Sequence, residues 1–383
     1  MRKIAIIGGG AAGLFCSIRI KEHLGEEVQV ILLEKQDRVG KKILATGNGK
    51  CNLSNQFMNS SYYNTKQVAY ALREVSPSVV EGHFKRWGLW TKTDEEGRMY
   101  PYSEKATSVL DVLLHQVEKI GVQIKQFEVS HIKALDHFLV YSRLYQLENV
   151  DVVVIATGGL TGGGDASGYQ LAKSLGHPVT PQSPRLVALK TKESLKHLSG
   201  LRIKASAKVM NHEECLWDGV GEVLFKDQGL SGILMFDCSR YMQKGCQIVL
   251  DCAYDVDDKA LDTFLATNPP EQLGGLLPKM LASEILKRWN EDPHHELIWH
   301  IHHLTFLPIG DYGYQNAQVT RGGVDIHSIN PTTFESILVP NLYLIGEVLD
   351  VDGACGGYNL HFAWASADVA SRAIAQQTKG DNQ

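Results

Sequence analysis

The first 34 residues alternate between apolar runs and an amphipathic stretch. Two runs, Lys3–Ile7 and Val28–Glu34, are apolar almost throughout, which is typical of parallel strands that are covered on both faces. Between them, Leu14–Leu24 carries apolar residues at helical spacing. The pattern predicts a strand, a helix and a second strand, which together form a βαβ unit with a right-handed crossover.

Elements of the same kind recur far along the chain. Ser108–Ile120 has helical spacing, Asp151–Ala156 is another buried strand, and Tyr169–Leu175 is a further predicted helix. Near the C-terminus, Asn341–Glu347 predicts a buried strand and Tyr358–Ile374 a helix. We therefore expect both ends of the chain to contribute to one α/β domain.

The middle of the chain has a different pattern. Residues 186–255 contain short β-like runs between polar turns, which predicts an antiparallel β region; examples are Val220–Phe225, Ile233–Phe236 and Gln247–Leu250. Residues 256–303 instead have helical spacing, as in Ala260–Thr267, Leu277–Trp289 and Glu296–His302. The middle block therefore predicts an insertion into the α/β domain.

Composition narrows the class of protein. Of 383 residues, 44% are hydrophobic, and 38 basic against 43 acidic side chains give a net charge of −5, which argues against a nucleic-acid partner. The seven cysteines lack CxxC spacing, and no apolar run is long enough for a signal peptide or a membrane span. We expect a soluble, cytoplasmic protein. The five histidines between residues 294 and 303 lack metal-ligand spacing, so we predict no metal site.

A glycine-rich turn links the first predicted strand to the first helix. In the fingerprint Gly8-x-Gly10-x-x-Gly13, the first glycine permits the tight turn, the second lets the backbone approach a pyrophosphate, and the third allows close helix packing. The following helix directs free N–H groups at the phosphates. Glu34, at the end of the next strand, is placed to accept hydrogen bonds from ribose hydroxyls. An acid here favours FAD or NAD over NADP.

Two later segments favour FAD over NAD. The strand that ends in Ala156–Gly158 and the late segment Gly346–Gly353 give a three-part layout that resembles the FAD domain of glutathione-reductase type. The middle block has no second strand-linked GxGxxG, and Cys51 has no second cysteine nearby for a flavin-coupled dithiol. We therefore predict one non-covalent FAD, with NAD(P)H possible as a transient electron donor and not as a resident cofactor.

Several motifs resemble those of one bacterial flavoprotein family. They are Ala45–Asn55, Gly229–Gly232, Val319–Val324, Gly346–Gly353 and Gly356–Leu360. In these motifs the chain is similar to the aminoacetone-oxidase-like NAD(P)/FAD-dependent oxidoreductases, a family that also includes a bile-acid 3-oxo-Δ4 reductase. The resemblance extends over nearly the whole chain.

This resemblance implies a Rossmann-like α/β fold for binding FAD, with an antiparallel β-barrel-like insertion and a small helical subdomain. The implied boundaries are 1–185 and 318–383 for the discontinuous FAD domain, 186–255 and about 304–317 for the insertion, and 256–303 for the helical subdomain. Substrate would stack on the flavin in a cleft between the FAD domain and the insertion. The helical section is short compared with the family, and Arg185 stands where a small residue is usual, which alters the expected substrate cavity.

The fingerprint and the resemblance together imply a set of FAD contacts. The segment 46–52 would line the cofactor, 357–360 would place backbone amides at the pyrimidine edge of the flavin, and Val129, at a strand end, would touch the adenine. The predicted contacts are Gly8, Gly10, Ala11, Ala12, Gly13, Glu34, Lys35, Gly40, Lys41, Lys42, Thr46, Gly47, Asn48, Gly49, Lys50, Cys51, Asn52, Val129, Ala156, Thr157, Gly158, Gly346, Glu347, Asp352, Gly357, Tyr358, Asn359 and Leu360.

For some of these side chains, two roles are compatible with the sequence. Cys51 could be a redox thiol, but without a partner cysteine or base a structural thiol is the better interpretation. Lys41 and Lys42 could offset the charge of reduced flavin or hold an acidic substrate, or could simply be solvated. The sequence assigns no catalytic acid or base and does not determine the oligomeric state.

Three functions fit these observations. The first is an FAD-dependent oxidase of a small amine or amino-ketone with O2 as acceptor, which the lack of a nicotinamide domain favours. The second is an NAD(P)H-linked flavin reductase of enone-type substrates. The third is a non-enzymatic flavin-dependent sensor, which we disfavour because the glycine loop indicates an accessible site. In each case the expected ligand is a small molecule.

Overall fold

The structure, a computed structural model, describes residues 1–292 and 294–380. The chain forms two compact units. Residues 1–184 and 318–380 form one, which we call the split unit, and the described residues of 185–317 form the other, the inserted unit.

The secondary structure is mixed. The α-helices are α1 Ala11–Leu24, α2 Lys41–Ala45, α3 Ala69–Glu74, α4 Pro77–Arg86, α5 Ala106–Lys119, α6 Ser167–Ser174, α7 Ile233–Ser239, α8 Asp258–Thr267, α9 Lys279–Glu291, α10 Leu297–His302 and α11 Tyr358–Gly380. The strands are β1 Arg2–Ile7, β2 Val28–Glu34, β3 Ser54–Asn55, β4 Thr91–Thr93, β5 Arg98–Pro101, β6 Gln123–Gln126, β7 His131–Ala134, β8 Phe138–Tyr141, β9 Gln146–Val150, β10 Val152–Ile155, β11 Ser183–Arg185, β12 Leu189–Thr191, β13 Arg202–Asn211, β14 Glu214–Lys226, β15 Gly229–Ser231, β16 Gln247–Asp251, β17 Leu304–Phe306, β18 Pro308–Asp311, β19 Val319–Arg321 and β20 Leu342–Leu344.

A five-stranded parallel sheet organises the split unit. Its strand order is β20-β10-β1-β2-β6, and Ile6 of the central strand pairs with Val154 on one side and Leu32 on the other. The apolar runs of β1 and β10 are buried because helices cover the sheet. Phe15 of α1 and Trp364 of α11 are fully buried, with ring centroids 5.5 Å apart. The C-terminal helix α11 therefore packs on the first helix, α1.

The strand order determines where a site can form. Because β1, β2, β10 and β20 run parallel, their carboxyl ends meet at one edge of the sheet. Loops at this edge of an open α/β sheet are the usual binding positions. Two smaller three-stranded sheets, β3-β5-β4 and β7-β8-β9, also belong to the split unit.

The inserted unit is built on an antiparallel sheet. Its order is β17-β16-β13-β14-β15-β12-β18, so β17 and β18 lie at opposite ends of the sheet. Only Leu307 separates these two strands along the chain, so the sheet must curl until its edges approach each other. Helices α8 to α10 contribute Leu261, Leu281 and Ile301 to the same hydrophobic core.

Two predicted elements differ in the structure. The run Ile233–Phe236, predicted as a strand, belongs to helix α7, so that prediction was wrong. A short apolar run does not distinguish a strand from a buried helix, and Gly221 of β14 leaves room for the helix, since a Cβ there would lie 3.3 Å from Cβ of Leu234. The predicted strand Asn341–Glu347 is confined to Leu342–Leu344, because Gly346 begins a 3₁₀ turn at φ +69°.

None of the helices in the described ranges combines the length and apolar character that crossing a membrane requires.

Candidate functional site

A cleft lies in the split unit, at the carboxyl edge of the parallel sheet. It encloses about 1150 Å³ of empty space, including its solvent-open side. The loops after β1, β2 and β10 form its walls together with α2 and the start of α11. The predicted residues that line it are Gly8, Gly10, Ala11, Ala12, Glu34, Lys35, Gly40, Lys41, Lys42, Thr46, Ala156, Thr157, Gly158, Glu347, Asn359 and Leu360.

The three fingerprint glycines occupy three different environments. Gly8 has φ +107°, and a Cβ there would lie 2.4 Å from the carbonyl oxygen of Ala156. A Cβ at Gly13 would lie 1.9 Å from the carbonyl oxygen of Gly8, so this glycine allows α1 to pack against the turn. A Cβ at Gly10 would meet no protein atom within 4 Å, and this residue lines the cleft. Gly10 thus leaves space for a ligand, whereas Gly8 and Gly13 allow other parts of the backbone to approach closely.

Glu34 is held by the backbone at one end of the cleft. Its Oε2 accepts the N–H of Gly9 at 2.7 Å, and its Oε1 accepts the N–H of Gln36 at 2.9 Å. A carboxylate has about four lone-pair positions, so each oxygen can accept one more hydrogen bond. The neighbouring Lys35 pairs with Asp165 at 2.6 Å. This end of the cleft presents a fixed anion that suits ribose hydroxyls.

A polar network connects α2 with the late segment after β20. Lys42 Nζ pairs with the carboxylate of Glu347 and donates to Oγ1 of Thr161 at 2.5 Å. Oε1 of Glu347 also accepts the backbone N–H of Thr320 at 2.9 Å. Lys42 is therefore not simply solvated, because it ties together three distant segments on the cleft wall. Lys41, in contrast, pairs with Asp37 four residues earlier.

Helix α11 begins at the other end of the cleft. Gly357, at φ +102°, precedes its first residue, and a Cβ there would lie 2.3 Å from the carbonyl oxygen of Ser54. The side chain of Asn359 accepts the N–H of Gly353 at 2.8 Å and donates to its carbonyl at 3.0 Å. The first N–H groups of a helix have no partners within it, so this terminus offers donors and a positive dipole end.

The loop over residues 46–52 has an unusual backbone. Gly47, Asn48, Gly49 and Cys51 all have positive φ, between 55° and 81°. Thr46 lines the cleft, whereas Asn48, Gly49 and Lys50 line a second depression on the surface of the same unit. The structure therefore places one end of this loop at the predicted cofactor site and its middle outside it.

Cys51 is fully buried. Burial raises the pKa of its thiol to about 12, and the hydrogen bond with Thr46 offsets this only in part. The thiolate is the nucleophilic form of cysteine, so this residue stays protonated at neutral pH. The geometry agrees with the interpretation of Cys51 as a structural thiol.

A buried histidine of α11 connects that helix to β3 and to the residue after α3, and the sequence analysis did not predict it. His361 Nδ1 lies 2.8 Å from Oγ of Ser54, and its Nε2 lies 2.9 Å from the carbonyl oxygen of Val75. Complete burial lowers the pKa of His361 to about 4, despite the hydrogen bond to Val75. The ring is therefore neutral, with Nε2–H donating to Val75. One turn later, Nε1 of Trp364 donates to the carbonyl of Leu53 at 3.0 Å.

Other predicted contacts lie outside the cleft wall. Asp352 is fully buried with Oδ1 3.1 Å from Nε of Arg321, and the ring of Tyr358 packs against that of Tyr62 at a tilt of 33°, with centroids 4.6 Å apart. Val129 is buried in the connection between β6 and β7 and not at a strand end. The predicted residues that do not line the cleft are Gly13, Gly47, Asn48, Gly49, Lys50, Cys51, Asn52, Val129, Gly346, Asp352, Gly357 and Tyr358.

Several cleft residues were not predicted. Most are sequence neighbours of predicted ones, so widening each motif by two residues would have found them. Phe362 and Ala363 could have been found from the first turns of α11. The additional lining residues are Gly9, Gln36, Arg38, Ile43, Gly159, Thr161, Gly162, Gly164, Gln318, Val319, Ile345, Val351, Phe362 and Ala363.

The residues present fit a flavin dinucleotide. The cleft extends from the carboxylate of Glu34, past Gly10, to the N-terminus of α11. At Gly10 no protein atom lies within 4 Å of the position a Cβ would take, so the backbone is open to a ligand there. Oγ1 of Thr157, against Gly168 of α6, and Oδ1 of Asn52, beside Gly357, are buried without a hydrogen-bond partner, but neither of these atoms is placed at the cleft. The fit therefore rests on Glu34, on the opening at Gly10 and on the helix terminus. Among the described residues, no group of three or more His, Cys, Asp or Glu side chains could hold a metal ion.

Comparison with known proteins shows similarity over nearly the whole chain. It is 36% identical over 410 residues to the 3-dehydro-bile acid delta(4,6)-reductase of Clostridium scindens, covering 98% of this chain and 100% of that protein. It is 29% identical over 410 residues to the ribosomal RNA dihydrouridine synthase of Haemophilus influenzae, covering 97% and 98%. In fold it is similar to the 3-ketosteroid delta1-dehydrogenase of Sterolibacterium denitrificans, with a TM-score of 0.54, 12% identity, and coverage of 98% and 100%.

The family comparison covers both units. The sequence pattern of the family described as HI0933-like protein Rossmann domain matches residues 2–373. The prediction of a Rossmann-fold oxidoreductase that uses flavin is thereby confirmed. The chain belongs to the HI0933-like Rossmann-domain family and is a flavin-dependent oxidoreductase.

Proposed function

We propose that this enzyme uses FAD to reduce a carbon–carbon double bond that is conjugated to a carbonyl group. The observation that carries the proposal is the full-length, 36% identity to a reductase whose name places the reduced bonds at positions 4 and 6 of a 3-oxo bile acid. The dihydrouridine synthase, at 29% identity, saturates a uracil bond that is likewise conjugated to a carbonyl. The reducible bond is the chemistry common to both relatives.

The side chains of the cleft would hold FAD in a defined direction. Glu34 would accept hydrogen bonds from the ribose hydroxyls, and the amides at the start of α1 would face the pyrophosphate. The N-terminus of α11 would stabilise negative charge at the pyrimidine edge of the ring. When bound, FAD supplies the hydride chemistry itself.

Saturating the double bond needs two electrons and two protons. NAD(P)H would supply the electrons with one proton, and solvent would supply the other. The middle of the chain carries no second strand-linked glycine fingerprint, so the donor would bind transiently. Cys51 supplies neither proton nor nucleophile at neutral pH, because burial raises its thiol pKa to about 12.

The decisive experiment is an anaerobic half-reaction on the FAD-loaded protein. NADH and NADPH are added first, and bleaching of the flavin absorbance is followed. A 3-oxo-4-ene steroid is then added; we expect it to restore the absorbance, and its 4,5-saturated counterpart serves as the control. A uridine-containing ribosomal RNA transcript forms a parallel arm and identifies the substrate if it restores the absorbance.

The opposite pattern would overturn the proposal. If nicotinamides leave the absorbance unchanged, while aminoacetone bleaches it and air restores it, the enzyme is an amino-ketone oxidase. That oxidase function is the other expectation from the family resemblance.

A further inference from the structure

A second depression lies on the split unit, and the proposed FAD cleft does not use it. The middle of the loop after α2 forms one wall, and the segment around β4 and β5 forms the other. Thr46, at the start of the same loop, lines the FAD cleft, whereas Asn48, Gly49 and Lys50 line the depression. A ligand in the depression would thus lie on the loop that borders the cofactor site.

The depression is lined by more positive than negative side chains. Lys50 and Lys92 both contact the carboxylate of Glu104, at 2.6 and 2.5 Å, and Lys105 adds a third positive charge. Glu104 has φ +52°, a conformation that is uncommon outside glycine. Hydrogen bonds from the two lysines lower its pKa to about 2, so it remains ionised. Three lysines against one carboxylate leave the depression with a positive balance.

Glu104 positions the two lysines and leaves them able to bind an anion. An ammonium group has three N–H donors, and a single carboxylate oxygen uses one of them. Lys50 and Lys92 each contact a different oxygen of Glu104, so their ammonium groups are held near each other. Two neighbouring ammonium groups with free donors suit the oxygens of a phosphate.

Exposed aromatic rings lie beside these lysines. Tyr102 and Trp90 are 69% and 68% exposed, and the N–H of Tyr102 donates to the carbonyl of Trp90 at 2.7 Å. Lys92 Nζ lies 5.6 Å from the ring centroid of Tyr102, and Lys85 Nζ lies 5.2 Å from that of Trp90. Exposed aromatic faces next to lysines are the combination that stacks a base while binding its phosphate.

We propose that this depression binds a nucleoside phosphate, with the phosphate on Lys50 and Lys92 and the base on Tyr102. Two ligands of the proposed reaction have this chemistry: the donor NADPH and a nucleotide of an RNA substrate. The inference rests on the proposed function for the role of the ligand, since a reductase needs a donor and one relative acts on RNA. The binding itself is independent of turnover.

The test measures equilibrium binding to the FAD-loaded protein. Titration calorimetry with NADP⁺ and with NAD⁺ reports the donor, and fluorescence anisotropy of a labelled single-stranded 12-nucleotide RNA reports the polymer. The principal variant is Lys50→Ala/Lys92→Ala. Tyr102→Ala removes the stacking surface, and Tyr102→Phe retains it. Exposed Lys259 on α8 gives the control variant Lys259→Ala.

We expect the double variant to bind one of the two ligands at least about tenfold more weakly, because each lysine contributes a charge-assisted hydrogen bond. Tyr102→Ala should weaken the same ligand, whereas Tyr102→Phe and Lys259→Ala should not. If the affinity for NADP⁺ falls and the affinity for RNA does not, the site holds the donor. The reverse result assigns the site to the substrate. Unchanged FAD content and melting temperature show that the variants are folded.

Two results would overturn the inference. Either the parent protein binds neither NADP⁺ nor RNA, or the double variant binds both as well as Lys259→Ala does. A failure of the proposed function gives a different pattern, in which lysine-dependent binding persists and no conjugated double bond is reduced.

Discussion

The two ends of the FAD cleft are built in different ways. The end that would hold the adenosine half draws on the fingerprint glycines and Glu34, which lie within one βαβ unit. The end that would hold the flavin ring depends on pairs such as His361 with Ser54 and Trp364 with Leu53, which are 307 and 311 residues apart. We call these the nucleotide end and the ring end.

The difference shows which part of the site can vary. The nucleotide end is determined mainly by backbone sterics within one βαβ unit, with one close approach from elsewhere, since a Cβ at Gly8 would lie 2.4 Å from the carbonyl oxygen of Ala156 after β10. The ring end depends on buried hydrogen bonds between distant segments, and each segment can change separately. This contrast agrees with a family whose relatives act on different substrates over the same fold.

The largest expected effects come from two glycines of the nucleotide end. Gly10→Ala should weaken FAD binding at least a hundredfold, which is about 2.7 kcal/mol, because the new methyl group points into the cleft. It should leave the free energy of unfolding of the apo-protein nearly unchanged. Gly13→Ala should instead destabilise the protein itself by about 2–3 kcal/mol, because its Cβ would lie 1.9 Å from the carbonyl of Gly8.

FAD titration of the apo-protein and denaturant unfolding separate these two effects. Gly274→Ala is the control for Gly10→Ala, since a Cβ at Gly274 also meets no protein atom, its φ is not positive and this residue does not line the cleft. If both variants of the fingerprint lose FAD and stability together, the separate roles assigned to the two glycines are wrong.

The ring end should be sensitive to acid through His361. Burial lowers the pKa of this residue from 6.5 to about 4 in the folded protein. Between these values the unfolded chain binds a proton that the folded protein does not. Acid therefore favours the unfolded chain. The contribution of His361 to the free energy of unfolding is fully present above pH 6.5 and is lost as the pH falls towards 4. Linkage puts the loss at up to about 3 kcal/mol.

His361→Gln should make this pH dependence shallower, because glutamine does not titrate, whereas His83, whose pKa burial also lowers to about 4, keeps its share. The measurement is denaturant unfolding across the same pH window, compared with the parent protein. Exposed His115 on α5 provides the control His115→Gln, which should keep the parent slope. An equally steep slope in His361→Gln would show that other groups cause the acid sensitivity.

A smaller effect is expected where the two ends are joined by Lys42. Lys42→Ala removes the ion pair with Glu347 and the hydrogen bond to Thr161. The pair is partly exposed, so we expect FAD affinity to fall only about three- to tenfold, or about 1 kcal/mol. FAD titration against Lys41→Ala checks this, because that variant removes a positive charge from the same cleft wall but breaks only the local pair with Asp37. Equal losses in both variants would mean that net charge matters and not the network.

The comparison also explains which sequence predictions were reliable. Val28–Glu34 coincides with β2, and Gly13 packs against Gly8 within the fingerprint turn, because these features depend on neighbours in the chain. The approach of Ala156 to Gly8 does not, and the sequence did not predict it. Ile233–Phe236 became a helix because Gly219 and Gly221, on another element, make room for Leu234. Burial against a distant strand is invisible in a run of four apolar residues.

The loop over residues 46–52 shows the same limit. The family resemblance implied that this loop would line the cofactor, and in the structure four of its residues have positive φ. Which side chains face the cleft, and which face the lysine-lined depression, depends on β4, β5 and Glu104. Periodicity and motif spacing carry no information about these contacts.

By itself, the sequence determined the βαβ unit, the dinucleotide turn and the return of the C-terminus to the same α/β domain. These follow from local sterics and from hydrophobic periodicity, which act over a few residues. Only the tertiary structure decided that His361 is buried between Ser54 and Val75, that Lys42 meets Glu347, and that two lysines share Glu104. Such pairs form because packing brings distant segments together, and their energies depend on burial that no local pattern records.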